Sequence, residues 1–253
     1  MYQHIRVQRE GHVFVVTLTR AARLNSLNAA ACFELDRAWS EFMADAQAWV
    51  AVITGDGRAF CAGHDLGDAP DEAMPESGWA GLSERPPMCK PIIAAVNGHA
   101  YGGGLEIVLA ADIVIVDERA KLALSEPRVG AVALGGGAQR LVRKLPAAIA
   151  MGMLLTGRAI DAADAYRWGL ANEIAAAGTA LQIAMRWADE IIACSPLAVR
   201  ATKLLALESL EGELPQTIKA RAREIVPQVF QWHDTQEGIA AFNEKRRPNW
   251  RGD

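Results

Sequence analysis

Residues 90–115 read KPIIAAVNGHAYGGGLEIVLAADIVI. Ile92–Asn97 is an almost unbroken apolar run of strand length, the pattern of a strand buried on both faces. Three successive glycines, Gly102–Gly104, then open the apolar helical stretch LEIVLAAD, and Ile113–Asp117 is a second branched apolar run. A strand, a glycine turn, a helix and another strand in so short a span argue for an α/β fold with crossover connections. Working outward, His12–Leu18 and Trp49–Thr54 read as strands of the same kind. Between them Asn28–Gln47 reads as a helix, with Leu35, Trp39, Phe42 and Met43 on one stripe. From about Thr179 the pattern turns helical. Leu181, Ala184, Met185, Ala188 and Ile192 share one face, Pro196 interrupts, and Leu197–Leu210 resumes. A further segment, Pro215–Gln231, carries Pro227, which divides it. The last helix begins near Asp234, where Asp234 and Glu237 have capping-box spacing, and stops before Pro248. The division expected is a core over 1–190 and a helical region over 191–253. Helices with apolar faces and no sheet beside them need cover, which points to association with further copies of the chain.

The chain has 253 residues, 51% hydrophobic and 22% charged, which suits a globular protein and excludes disorder as its overall state. Lys and Arg number 26 against 30 Asp and Glu, a net charge of −4. That balance lacks the footprint of a nucleic-acid binder. Cys32, Cys61, Cys89 and Cys194 form no C-x-x-C pair, and the five histidines show no metal-site spacing. Four reduced thiols, no metal and a cytoplasmic location are the expectation. No run of 18 apolar residues is present, so no membrane span is expected. The start, MYQHIRVQREGHVFVV, does not read as a signal peptide.

Three stretches carry chemistry. GRAFCAGHDLG (57–67) follows the strand at Trp49–Thr54, at the strand end where α/β proteins place their sites. Taken alone it also suits a tight turn that needs glycine. NGHAYGGGLE (97–106) puts glycines at a helix start, where unpaired N–H groups and the helix dipole can hold an oxyanion or a phosphate. Neither GxxxxGK[ST] nor GxGxxG is formed there. Glu106 lies one turn on and can share that pocket, or can be a solvated first-turn carboxylate. LALSEPRVGAVALGGGAQR (122–140) holds Glu126 before Pro127 and a second glycine triplet, Gly135–Gly137, which packing alone could require. Two sets of loop N–H groups and two carboxylates at strand ends are what acid–base chemistry on a carbonyl compound needs.

At this point the chain resembles the enoyl-CoA hydratase/isomerase (crotonase) superfamily. The matching stretches are RLNSL (23–27), VITGDGRAFCAGHDL (52–66), residues 90–115 quoted above, SEPRVG (125–130), GGGAQRL (135–141), LTGRAIDAADAYRWGLANEI (155–174) and AFNEKRRPNW (241–250), in family order and spacing. The resemblance implies a crotonase-like spiral of ββα units with a C-terminal helical oligomerisation region, used for homotrimers that often pair into homohexamers. It implies that the N–H groups of His64 and Gly103 form an oxyanion hole. It places Ala62, Asp65 and Leu66 on the loop that holds coenzyme A, and Phe242 and Lys245 on a last helix that can reach it.

Hydratases of this family carry two glutamates, and Glu106 and Glu126 match both, with Gly130 four residues after the second. Isomerases of the family commonly lack one. The resemblance therefore implies an enoyl-CoA hydratase acting on an acyl-CoA, with coenzyme A as part of the substrate and no cofactor. Double-bond isomerisation, carnitinyl-CoA dehydration and a non-catalytic CoA-ester- or RNA-binding role are the alternatives. Ser125 stands where hydratases commonly have Pro, Ala22 replaces a common Lys beside Arg23, and Gly67 replaces another Lys. SEPRVG with LPAAIAMGMLLTGR looks somewhat like the carnitinyl-CoA dehydratase branch. In relatives the segment after the first oxyanion loop, here 65–88, lines the acyl pocket. It reads as a mobile Pro-, Gly- and acid-rich loop in which Met74, Trp79 and Leu82 line the pocket or anchor the segment.

Overall fold

The computed structural model describes residues 2–65, 67, 73–210, 228–229 and 231–253. Two sheets are stacked so that the chain climbs from one to the other. The larger has six strands in the order β1 (Ile5–Glu10), β2 (Val13–Leu18), β3 (Val50–Gly55), β5 (Ile92–Val96), β7 (Ile113–Asp117) and β10 (Glu173–Ala175). All neighbours are parallel except the β1–β2 hairpin. The smaller has four short strands, β4 (Ala59–Cys61), β6 (His99–Tyr101), β8 (Lys121–Ala123) and β9 (Ile160–Asp161), with β4, β6 and β8 parallel. Three of the long strands are thus each followed by a short one in the other sheet. β3 leads to β4, β5 to β6 and β7 to β8, which is one turn of a spiral each time.

The four strands expected from sequence all form, starting within one residue of their expected first residues. They are the ones buried on both faces, so their apolar runs are long and continuous. The sequence reading missed β1, an edge strand whose IRVQRE is largely solvent-facing. It also missed the second sheet, whose strands of two or three residues are too short to show a period.

Helix α1 (Ala29–Ala44) starts where Asn28 Oδ1 accepts from Ala31 N at 3.0 Å. It buries Leu35, Trp39 and Phe42 against the sheet, with Phe42 5.4 Å from Phe14 between ring centroids. It ends short of the expected Gln47, because the Lys90 ammonium donates to Phe42 O and Asp45 O, both at 2.7 Å, and satisfies its last carbonyls. Helix α2 (Gly103–Ala110) is buried almost throughout. Helices α3 (Gly137–Lys144), α4 (Ala147–Thr156) and α5 (Ala162–Arg167) follow β8.

Helix α6 (Ala180–Ile192) lays Ala180, Ala184 and Ala188 on the outer face of the large sheet against Val15, Val52 and Ile93. Leu181, expected on that face, is exposed instead. Helix α7 (Pro196–Ser209) is tied to the core by Lys203, whose ammonium donates to Asp112 Oδ2 at 2.6 Å and Lys90 O at 2.9 Å. Pro227 and most of 215–231 lie outside the described residues. The last helix, α8 (His233–Glu244), does not form the expected capping box: its N-cap is Trp232, with no side-chain cap. Asp234 is instead buried and accepts from Ser195 Oγ at 3.0 Å and from Arg251 N at 2.8 Å. Glu237 accepts from Arg246 and from Asn249 N, both at 2.6 Å. Both carboxylates clamp the C-terminal tail, and that stronger set of partners wins over the local cap.

Candidate active site

The end of β4 and the end of β6 lie side by side because the strands pair in parallel. Gly63, at φ +93°, brings the first loop so close that a Cβ there would sit 3.1 Å from Gly103 N and 2.8 Å from Tyr101 O. Leu27 fixes the same loop from the other side, donating to Gly63 O at 2.8 Å and accepting from Asp65 N at 2.9 Å. The N–H of His64 lies between those two bonds and takes no part in them. Gly103 is the first residue of α2, where an N–H has no intrahelical acceptor. Neither N–H has an acceptor among the described residues, and the two lie on adjoining segments.

Glu106, one turn into α2, is 5% exposed. Its Oε1 accepts from Gly137 N at 2.9 Å, and Gly135 N–H supports it as well. The second glycine triplet is therefore a cradle for this carboxylate. A Cβ on Gly135 would fall 2.3 Å from Glu106 Oε2, and one on Gly137 2.9 Å from Oε1. Burial pushes the Glu106 carboxyl up to about 7, the Gly137 N–H works against the rise, and the charge of Glu126 adds to it. Arg140 lowers it in turn, held by its bonds to Gly135 O at 3.1 Å and Ser83 O at 3.2 Å.

Glu126 opens a 3-10 turn, Glu126–Val129, that Gly130 ends in the left-handed region at φ +73°. Its carboxylate lies over Gly102, 3.4 Å from where a Cβ would be. Its Oε2 is buried with no hydrogen-bond partner among the described residues. Desolvation raises its pKa too. The structure thus brings Glu106, Glu126, Gly103 and His64 together, from stretches separated by up to 62 positions.

Ala62 and Asp65 belong to the same first loop. Their N–H groups are already used, by Leu24 O at 3.0 Å and Leu27 O at 2.9 Å, which leaves their carbonyls for a ligand. The Asp65 carboxylate accepts from Gly67 N at 3.2 Å and from Arg20 at 2.8 Å, and these hold its pKa below the ordinary value. Arg20, which also donates to Ser26 O, ties the RLNSL stretch to this loop. The sequence reading passed over it, and its only signal was a cation just before RLNSL. Leu66 lies outside the described residues. Phe242 is 84% exposed, and Lys245 is the left-handed C-cap of α8. Phe242 lines an apolar cleft of about 380 Å³ with Val229, Trp232, Ile239 and Trp250 that contains none of the four site residues.

Ligand atoms of His233, Asp234 and Asp253 lie within 4.8 Å of one another at the C-terminus, where Asp234 is occupied by backbone N–H groups. Among the described residues no helix is long and apolar enough to cross a membrane.

A spiral of strands ending in two N–H groups with no acceptor among the described residues, beside a buried and a half-buried carboxylate, defines a crotonase-like α/β protein. The chain belongs to the enoyl-CoA hydratase/isomerase family, which matches residues 8–253. The carnitinyl-CoA dehydratase of Proteus mirabilis is 39% identical over the whole of both chains, and that of Salmonella typhi 37%. The crystal structure of an enoyl-CoA hydratase from Mycobacterium tuberculosis superposes with a TM-score of 0.94 at 39% identity, covering 99% of each chain. An enoyl-CoA hydratase from Bacillus anthracis superposes at 0.91 with 31% identity, covering 99% of this chain and all of the other.

Proposed function

We propose that this chain is an enoyl-CoA hydratase, adding water reversibly across the 2,3 double bond of an enoyl-CoA thioester to give the 3-hydroxyacyl-CoA. The observation that carries the reading is the pair Glu106 and Glu126, both with raised pKa, beside the unpaired N–H groups of His64 and Gly103. The thioester oxygen lies between those two donors, which stabilise the negative charge that develops on it as water attacks. Glu106 takes a proton from water, which attacks C3. Its N–H bonds to Gly137 and Gly135 favour the ionised form, and a pKa near 7 suits a group that must accept and return a proton. Glu126 delivers a proton to C2, because its partnerless buried Oε2 favours the protonated form. Dehydration runs the same steps backwards. The scheme calls for no metal or redox group, since coenzyme A comes with the substrate.

Ala62 and Asp65 contribute carbonyls to coenzyme A in this reading, with Leu66 on the same loop. Phe242 and Lys245 act only if they meet a ligand at a contact between copies of the chain. A homotrimer or homohexamer built on the helices after residue 190 is part of the proposal, motivated by the open apolar side chains Ile239 and Phe242. The names of the Proteus and Salmonella relatives favour a second reading, dehydration of carnitinyl-CoA. Loss of enoyl absorbance across a panel of enoyl-CoA thioesters, with carnitinyl-CoA run in the dehydration direction, decides between them. Turnover of carnitinyl-CoA alone selects the second, and turnover of neither overturns both.

A further inference from the structure

Trp79 opens the 3-10 turn Trp79–Gly81 in the segment between the two N–H loops. Its indole Nε1 donates to Gly103 O at 3.0 Å. A Cβ on Gly103 would fall 2.4 Å from its Cε2 and Cζ2, so the ring lies against the first turn of α2. A Cβ on Gly135, 2.3 Å from Glu106 Oε2, would also fall 3.0 Å from Trp79 Cβ. On the other side the His64 ring is 5.7 Å away between centroids, tilted by 40°. One side chain therefore borders both N–H loops and the Glu106 cradle. The donors to Glu106 are the Gly137 and Gly135 N–H groups and not the indole, which stays half-buried, with part of its surface open.

The turn that carries it is fastened, contrary to the mobile loop expected over its described residues. Trp79 N donates to Ser83 Oγ at 2.7 Å, and Trp39 Nε1 donates to Ala80 O at 3.0 Å. Ala80 is held at φ +54°. Arg85 donates to Gly81 O at 2.7 Å and to Asp36 Oδ1 at 2.6 Å, and Ser77 Oγ donates to the same Asp36 carboxylate. Leu82 is buried in the core and anchors the turn, whereas Met74 is exposed. The indole is thus a rigid feature, set on α1.

We propose that Trp79 is the specificity-determining wall of the acyl site, admitting compact acyl groups and excluding long chains. The inference rests on the hydratase reading: C3 must lie beside Glu106, so the chain beyond C3 begins within a side chain's width of the indole. A ring fixed at both Nε1 and its backbone cannot swing aside. Each methylene in an apolar pocket changes discrimination by roughly tenfold to 200-fold, so one wall can set a length limit.

The test compares the intact wild-type chain with Trp79→Ala and Trp79→Phe on crotonyl-, octenoyl- and dodecenoyl-CoA. Calorimetric binding of saturated butyryl- and octanoyl-CoA, which needs no turnover, runs alongside. The wild type is expected to favour crotonyl-CoA, and Trp79→Ala to raise the octenoyl-to-crotonyl ratio of kcat/KM by about tenfold or more. Trp79→Phe, which keeps a ring but loses the bond that fixes it, should shift the ratio in the same direction but less than Trp79→Ala. A wild type that prefers octenoyl-CoA, or a Trp79→Ala variant that loses rate equally on every thioester, overturns the inference. If the wild type turns over none of them, the hydratase reading fails separately. The binding order then decides for Trp79: butyryl over octanoyl in the wild type, reversed in Trp79→Ala, supports the wall, and an unchanged order overturns it.

Discussion

The two carboxylates of the site sit in opposite surroundings. Glu106 stands on a regular helix, is almost fully buried, and is met by N–H donors from a second glycine triplet and by the charge of Arg140. Glu126 stands on a single 3-10 turn, half-buried, with one oxygen that has no partner among the described residues. Burial raises both, but the hydrogen bonding differs, and that is what assigns them different jobs in one reaction. Chemically identical side chains become base and acid through what the backbone around them offers.

Removing either member should give the largest effect. Glu106→Gln and Glu126→Gln are each expected to lose about 10²–10⁴-fold in kcat for hydration while keeping acyl-CoA affinity. Steady-state kinetics with calorimetric binding checks this, and wild-type turnover in either variant would remove that residue from the reaction. If Glu126 alone proved essential, a one-carboxylate isomerase would fit better.

The cradle offers a subtler way to disturb the contrast. Gly135→Ala would put a methyl group 2.3 Å from Glu106 Oε2 and force the carboxylate off its donors. A loss of roughly ten- to 100-fold in kcat is expected, with thermal unfolding showing that the fold survives. An unchanged kcat would mean that the cradle does not set the position of Glu106.

The pH dependence sharpens the electrostatic half. Hydration needs Glu106 ionised and Glu126 protonated, so kcat/KM should pass through a maximum, falling on the acid side as Glu106, with a pKa of about 7, takes up its proton and on the alkaline side as Glu126 loses its own. The negative charge of Glu126 is one cause of the raised Glu106 pKa, so the residual activity of Glu126→Gln should show its acid-side inflection at lower pH. Stability follows with a fixed sign. The folded pKa exceeds the unfolded one, so the folded state holds the proton more tightly. This contribution is fully present below the ordinary glutamate value and is lost as pH climbs to about 7. Glu106→Gln should therefore raise the melting temperature relative to wild type in mildly alkaline buffer, with a smaller gain in acid. A smaller gain in alkaline buffer than in acid would contradict the raised pKa.

The smallest effect is expected at His64, which enters the reaction through its N–H. His64→Ala should stay within roughly tenfold of wild type, well inside the cost of removing an oxyanion donor. A loss of several hundredfold would point to the imidazole instead.

Much of this arrangement was legible in the chain, and the reasons for the gaps are physical. β2, β3, β5 and β7 announce themselves because burial on both faces demands long apolar runs. The short strands of the second sheet carry no such signal, although they are what bring the N–H loops together. Composition and spacing alone left Glu106 and Glu126 as possible surface carboxylates, and family resemblance paired them. Gly135–Gly137 was visible as a helix start, but that it serves Glu106 is a contact across thirty-one positions. Arg20 and Trp79 act through partners distant in sequence, and no local pattern marks them. Asp234 and Glu237 had the spacing of a cap, yet the returning C-terminal tail took both.

The division of labour between the two carboxylates is tested most directly by exchange of solvent deuterium into C2 of butyryl-CoA, which has no double bond and needs no attacking water. If Glu126 moves the C2 proton, Glu106→Gln should retain exchange within about tenfold of wild type, while Glu126→Gln should lose it by about 100-fold or more. Exchange that survives in Glu126→Gln and disappears in Glu106→Gln would contradict the account and reverse the two roles.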